Sequence, residues 1–184
     1  LILKMINKKK RGLNIVDLGG SLGSSYFKMK DIINQNYKNT WNIVEQKSFV
    51  KIGRKKLKEK GLNFFDNLKN LRNKKIDVLI LSGSLQYLED PNHILKIIFD
   101  LKPEIILLER LSILKVKNEP TICVQKRGDN SYPIWFFSNK YIIEKFKKNK
   151  YNLVESFPPE FDHNLYFNKR RIKFDGFLFK KRDI

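Results

Sequence analysis

Apolar positions fall in short runs at nearly regular intervals along the chain. "NIVDL" (14–18), "WNIVEQ" (41–46), "LNFF" (62–65), "DVLILS" (77–82) and "EIILLER" (104–110) are too short for helices, and the strongest of them are nearly continuous in apolar character. That is the pattern of strands covered on both faces. Between them lie segments with helical spacing: "SSYFKMKDIINQ", "FVKIGRKKLKEKG" and a weaker helix around "DNLKNLRN". A further helix, "PNHILKIIFDLKP", is opened by Pro91 near its first turn and closed before Pro103. Alternating strands and helices predict an α/β fold, with a mostly parallel sheet and helices on both faces.

Beyond residue 111 the rhythm changes. "SILKVKNEPTICVQKRGDNSYPIWFF" reads as a long connection with at most one short strand, and such loops in compact domains usually carry function. A last helix, "NKYIIEKFKKN", is predicted with Ser138 as its cap. "YNLVESF" (151–157) and "KFDGFLFKK" (173–181) have no convincing helix between them, so they are expected to pair antiparallel at the C-terminal edge of the sheet. No repeat or linker divides the chain. At 184 residues and 41% hydrophobic content it is expected to be a single domain, 1–184.

Composition adds limits. The apolar runs fall short of the roughly 18 to 20 residues that cross a bilayer, and "LILKMINKKKRG" lacks a signal-peptide core and cleavage site. Cys123 is the single cysteine and cannot form an internal disulfide. These features predict a soluble, cytoplasmic protein. A net charge of +19 would ordinarily suggest nucleic acid. The chain has no alanine, however, and is rich in lysine, asparagine and isoleucine, as coding by an A- and T-rich genome produces. Its lysines are scattered through "KKKRG", "GRKKLKEKG", "KFKKNK" and "NKRRIK" rather than gathered on one helical face. A solvated basic surface is the first reading, and no nucleic acid is expected as a partner. A basic nucleic-acid module remains as a reading that rests on charge alone.

Sheets of this kind bind ligands outside the carboxyl ends of their strands, where strand order reverses. That directs attention to the first turn, "VDLGGSLGSSYF". The dinucleotide fingerprint G-x-G-x-x-G fails, because counting from Gly19 the second and third glycines are Ser21 and Ser24. The phosphate-binding P-loop fails too, since no Gly-Lys-Ser/Thr follows. What fits is acid-x-Gly-x-small-x-Gly, met by Asp17, Gly19, Ser21 and Gly23. Small residues let such a loop lie against a nucleoside ligand, while the acid orders the turn and can face an ammonium. A plainer reading is that the glycines only make a tight strand-to-helix turn. Glu45, at the end of the next strand, can accept both hydroxyls of a ribose, or it is an ordinary surface acid. In "DVLILSGSLQYLEDP" a further strand ends in small residues, then Gln86 and Tyr87; Tyr87 either faces the ligand or staples the following helix to the sheet.

The first turn resembles the nucleoside-binding turn of class I S-adenosylmethionine-dependent methyltransferases, with serine in place of the middle glycine. "VDLGGSLGSSYF", "WNIVEQKSFVKIGRK", "LSGSLQYLEDP", "LKPEIILLER" and "SYPIWFFS" together resemble a family of methyltransferases associated with bacterial surface-polysaccharide gene clusters, from about residue 14 to residue 180. The resemblance implies a Rossmann-like sheet with an antiparallel C-terminal edge and S-adenosyl-L-methionine as cofactor. It places Asp17, Gly19, Gly20, Ser21, Gly23, Glu45, Ser82 and Gln86 at that cofactor. It further implies methyl transfer to a small-molecule or glycan acceptor in surface-glycan biosynthesis. Members carry a helical segment before the first strand, which this chain is expected to lack. The alternative is a Rossmann-like protein that binds a nucleoside or sugar nucleotide without methylating.

Methyl transfer from a sulfonium requires alignment and, for some acceptors, removal of a proton, but no metal. His93 and His163 lie far apart and form no ligand cluster. Glu109, expected to end the fifth strand, is the candidate base, with Arg110 beside it as a substrate contact; a strand-end salt bridge is the other reading of the pair. The aromatic density of "SYPIWFF" (131–137) suits a sugar face, with Tyr132 as a catalytic and Trp135 as a substrate-binding candidate alongside Tyr87. The same rings could instead seal the sheet edge, Phe136 and Phe137 being the better core pair.

Overall fold

A computed structural model describes residues 12–33, 38–114, 119–158, 166–167 and 170–182. Seven strands are hydrogen-bonded in the order β3-β2-β1-β4-β5-β11-β8: β1 is Asn14–Leu18, β2 Thr40–Val44, β3 Leu62–Phe65, β4 Val78–Ser82, β5 Ile105–Ile113, β8 Tyr151–Phe157 and β11 Lys173–Lys181. The sheet is mostly parallel, and β11 pairs antiparallel with β8 at its edge, as the sequence predicts. The helices are α1 (Ser24–Ile33), α2 (Lys47–Lys56), α3 (Pro91–Leu101) and α4 (Asn139–Lys148). None of the described helices is long and apolar enough to cross a membrane.

The chain divides into two compact units. The first comprises the described residues of Leu1–Leu81 together with Leu95–Ile106. Here β1 lies between two parallel partners, Ile15 opposite Trp41 of β2 and Val78 of β4. The chain thus winds outward through β1, β2 and β3, then returns to place β4 on the other side of β1. Burial explains the near-continuous apolar runs: Ile15, Val16, Trp41, Ile43, Val78, Leu79 and Ile80 are all buried. Asn42 is the polar exception in β2; it is buried and its amide donates to Asn14 Oδ1 at 2.6 Å and to the Ile15 carbonyl at 3.0 Å. Helix α2 ends at Lys56, earlier than its spacing suggests, with Arg54, Lys55 and Lys56 in its last turn, where cations complement the helix dipole. The weak helix around "DNLKNLRN" is a 3-10 turn, Leu68–Leu71, capped by the Asn67 side chain.

The second unit comprises Ser82–Ile94 and the described residues of Leu107–Ile184. Asp90 Oδ1 accepts from the His93 backbone N–H at 3.0 Å, capping α3 ahead of Pro91, and Ser138 Oγ accepts from the Tyr141 N–H at 3.1 Å at the head of α4. Phe146 of α4 stacks on Phe179 of β11 at 4.0 Å between centroids.

The connection after β5 departs from expectation. In place of a loop with at most one strand, β6 (Thr121–Arg127) and β7 (Asn130–Phe136) form an antiparallel hairpin across a Gly128–Asp129 turn. Gly128 takes the left-handed φ of +58° that tight hairpin turns demand. Cys123, Ile134 and Phe136 pack with Leu114, Ile172 and Phe174 into a satellite core, which gives the hairpin one buried face. Pro133 sits on β7 opposite Val124, tolerated because a two-stranded ribbon leaves outer edges unpaired. A second short ribbon pairs β9 (Tyr166–Phe167) with β10 (Arg170–Arg171), where no element is expected.

Candidate functional site

In the first unit the turn after β1 is built largely from left-handed backbone. Gly19, Ser21 and Gly23 have φ of +77°, +52° and +92°, a sequence of left-handed residues that only small side chains tolerate together. The turn is pinned at both ends: the Gly19 N–H donates to the Val44 carbonyl at 2.9 Å, and the Gly23 N–H to the Gly20 carbonyl at 2.9 Å. Gly23 in turn accepts from Phe27 as α1 begins. Asp17 lies beneath this turn, only 1% exposed, with Oδ2 accepting the indole N–H of Trp41 at 3.3 Å. Its carboxylate is therefore enclosed, bonded to Trp41 of β2.

Gly19 and Ser21 are exposed, Gly20 and Gly23 buried. Glu45 follows β2 directly, its N–H donating to the Phe65 carbonyl at 2.9 Å. Glu45 Oε2 accepts the Gln46 N–H at 2.7 Å, and Oε1 has no partner among the described residues. The turn and Glu45 thus stand at the carboxyl ends of β1 and β2, beside the point between β1 and β4 where strand order reverses. Sequence reasoning missed Trp41, whose ring is wholly buried and whose N–H reaches the acid of the motif.

In the second unit a polar constellation joins the last residue of β4 to β5. Ser82 Oγ donates to Glu109 Oε2 at 2.8 Å, and the Gly83 N–H donates to the Glu109 carbonyl at 2.8 Å. Arg110 Nη2 donates to Ser82 Oγ at 3.1 Å and to the Ser82 carbonyl at 3.2 Å. Gln86 is buried; its Nε2 donates to the Arg110 carbonyl at 2.9 Å, while Oε1 is a buried acceptor without a partner among the described residues. Glu109 does not end the strand as expected, because β5 continues to Ile113 through Arg110, whose φ of +51° is left-handed. Neither residue joins an ion pair among the described residues, so the strand-end salt bridge is replaced by the Ser82 relay.

The aromatic candidates divide. Tyr132 lies on β7 rather than in a loop, and its ring meets Tyr87 edge-on at 5.8 Å, with the Tyr87 hydroxyl 3.3 Å from Gln125 Oε1. Tyr87 is 44% exposed and follows directly on Gln86 in the 3-10 turn Leu85–Tyr87. Trp135 is likewise on β7; half-buried, it donates its indole N–H to the Leu88 carbonyl at 3.0 Å, a tie from hairpin to turn. Phe136 and Phe137 are buried core residues. Among the described residues no group of three or more His, Cys, Asp or Glu is placed to hold a metal ion; His93 heads α3, and His163 lies outside the described residues.

No family model matches the chain, and neither does any curated protein. Solved structures do. An S-adenosylmethionine-dependent methyltransferase from Methanosarcina mazei superposes with a TM-score of 0.66 at 12% identity, over 97% of this chain and 96% of the other. CalS10, an amino pentose methyltransferase from Micromonospora echinaspora, gives 0.64 at 9% identity, over 98% of this chain and 89% of that one. The glycopeptide N-methyltransferase MtfA gives 0.60 at 12% identity, over 99% and 86%. The fold is that of the Rossmann-like S-adenosylmethionine-dependent methyltransferases. At these identities the likeness speaks for the fold alone.

Proposed function

We propose that the chain is a single methyltransferase domain that moves a methyl group from S-adenosyl-L-methionine to a small or carbohydrate-linked acceptor in surface-glycan assembly. The observation that carries this reading is the first turn, where Asp17 braces a left-handed Gly19–Gly23 loop beside the reversal of strand order and Glu45 offers an open carboxylate oxygen. The residues present fit the cofactor: a loop of small side chains admits close backbone approach, and a carboxylate suits a vicinal diol. Gly19, Gly20, Ser21 and Gly23 would form the loop wall, and Glu45 would hold the ribose. When bound, the cofactor supplies an electrophilic methyl group on a sulfonium.

On the acceptor side, Glu109 is oriented by the Ser82 hydroxyl and can take a proton from an acceptor hydroxyl or amine, while Tyr87, Tyr132 and Trp135 offer aromatic surface to a sugar. Supporting a glycan acceptor are the resemblance of the sequence motifs and two fold relatives that are an amino pentose and a glycopeptide methyltransferase. The single cysteine suits a cytoplasmic setting.

Calorimetry with S-adenosylhomocysteine tests the cofactor, and mass spectrometry of surface glycans after gene deletion tests the acceptor. Binding of adenosine and sugar nucleotides without S-adenosylhomocysteine would favour a nucleoside-binding protein that does not methylate.

A further inference from the structure

Arg110 is held in an unusual way for a surface arginine. Its backbone is left-handed at φ +51° within β5, a conformation that disfavours any residue with a side chain. The guanidinium lies against Gly83: a Cβ at that position would stand 3.5 Å from its Nε and Nη2. Gly83 itself is left-handed, at φ +66°.

Only Nη2 is engaged, by the carbonyl and hydroxyl of Ser82, while Nε and Nη1 have no partner among the described residues. The Ser82 hydroxyl gives its proton to Glu109, so its lone pairs face Arg110. Glu109 thereby fixes the arginine through Ser82 without forming an ion pair with it. The result is a cation fixed in position, its charge uncancelled by direct contact and two nitrogens open. A guanidinium so prepared matches a carboxylate or phosphate, one of whose oxygens can take a single charge-assisted N–H bond at Nε or at Nη1. Gln86 ties the Arg110 carbonyl to the turn that carries Tyr87, and Tyr87 meets Tyr132 edge-on.

We infer that Arg110 recognises an anionic group, carboxylate or phosphate, on a sugar-like acceptor whose ring lies on Tyr87 and Tyr132. This inference rests on the methyl-transfer reading and narrows its acceptor class.

The test compares three probes by calorimetry at physiological salt: glucuronate, glucose 1-phosphate and the neutral methyl glucoside. At least one anionic probe should bind the parent protein about tenfold tighter than the neutral one, the scale of one charge-assisted pair. Preference for glucuronate alone identifies a carboxylate, and for glucose 1-phosphate alone a phosphate. Arg110→Gln should abolish the preference. Arg110→Lys, which keeps the charge but not the nitrogens held in place by Ser82, should retain part of it. Lys51→Gln, which removes a charge on α2, should leave it intact.

No preference in the parent protein, or a preference that survives Arg110→Gln, overturns the inference. If the glutamine variant does not fold, the Arg110 Nε–H resonance of the parent decides: a shift on adding the preferred anion supports the site, and no shift removes it. S-adenosylhomocysteine is titrated in parallel. Failure of that ligand alone sinks methyl transfer and leaves the anion site, whereas its binding without anion preference does the reverse.

Discussion

The carboxylate of Asp17 occupies the space that any side chain on Gly20 would need: a Cβ there would lie 2.6 Å from both Cγ and Oδ2 of Asp17. Since Asp17 is buried and holds the Trp41 indole, it cannot swing out to water without breaking that bond. Gly20→Ala should therefore displace the acid and reshape the turn, lowering stability by about 1–3 kcal/mol, the usual cost of overpacking. Affinity for S-adenosylhomocysteine should fall with it. Urea unfolding and calorimetry check the two effects, and a variant unchanged in both would show that the turn relaxes freely.

Glu45 gives a sharper test of the ribose assignment. Glutamine keeps its shape but weakens charge-assisted hydrogen bonds, each about 1.5–3 kcal/mol in favourable surroundings, so affinity should drop at least about tenfold. The Gln46 N–H can still bond to the amide oxygen, which limits structural damage. A 2′-deoxy analogue distinguishes contact from bystander. It should lose affinity on the parent protein and much less on Glu45→Gln; equal losses on both would remove Glu45 from the ribose.

Trp135 tests the join between hairpin and turn. Trp135→Phe keeps the aromatic packing but leaves the Leu88 carbonyl without its indole donor, a loss of about 0.5–1.5 kcal/mol for a neutral hydrogen bond. Because that bond anchors the turn bearing Gln86 and Tyr87, discrimination between sugar probes should weaken as well. S-adenosylhomocysteine affinity should stay close to the parent value. A normal melting temperature with unaltered probe binding would make Trp135 a passive surface ring.

These residues also show how far the sequence could be read. The first turn and Glu45 were legible because the strands before them are buried in all but their first residue, and such burial writes itself as short, mostly apolar runs such as "NIVDL" and "TWNIV". The hairpin was not legible, for its alternation is interrupted by Pro133 and only one face is covered, leaving Ile122 and Val124 exposed. Its Gly128–Asp129 turn between two strand-forming runs was the signal available. Nothing local marks the left-handed Arg110, whose partners Ser82 and Gln86 lie more than twenty positions earlier in the chain, or the continuation of β5 to Ile113, which runs beside Phe137 more than twenty positions later. Gly83 belongs to the same class. Its φ of +66° is what favours glycine there, and the Arg110 guanidinium from a distant strand lies in ordinary contact with it.

Tyr151 predicts how the fold responds to alkali. Its ring begins β8, 2% exposed and edge-on to Phe146 at 6.2 Å, and burial pushes its hydroxyl well above the ordinary value near 10. The phenol is thus neutral in the folded protein at pH values where the unfolded chain would already ionise. Protons are then bound more tightly by the folded state, so its contribution to stability is complete below about pH 10 and declines as pH rises further. The expected slope is about 1.4 kcal/mol per pH unit for one such group. Lysines titrate over the same range, but a comparison with Tyr151→Phe cancels them, because the variant differs only in the missing hydroxyl. Urea unfolding at about pH 9 and about pH 11 should show the parent losing more stability than Tyr151→Phe across that interval. Parallel losses would mean that the buried tyrosine ionises as readily in the fold as outside it.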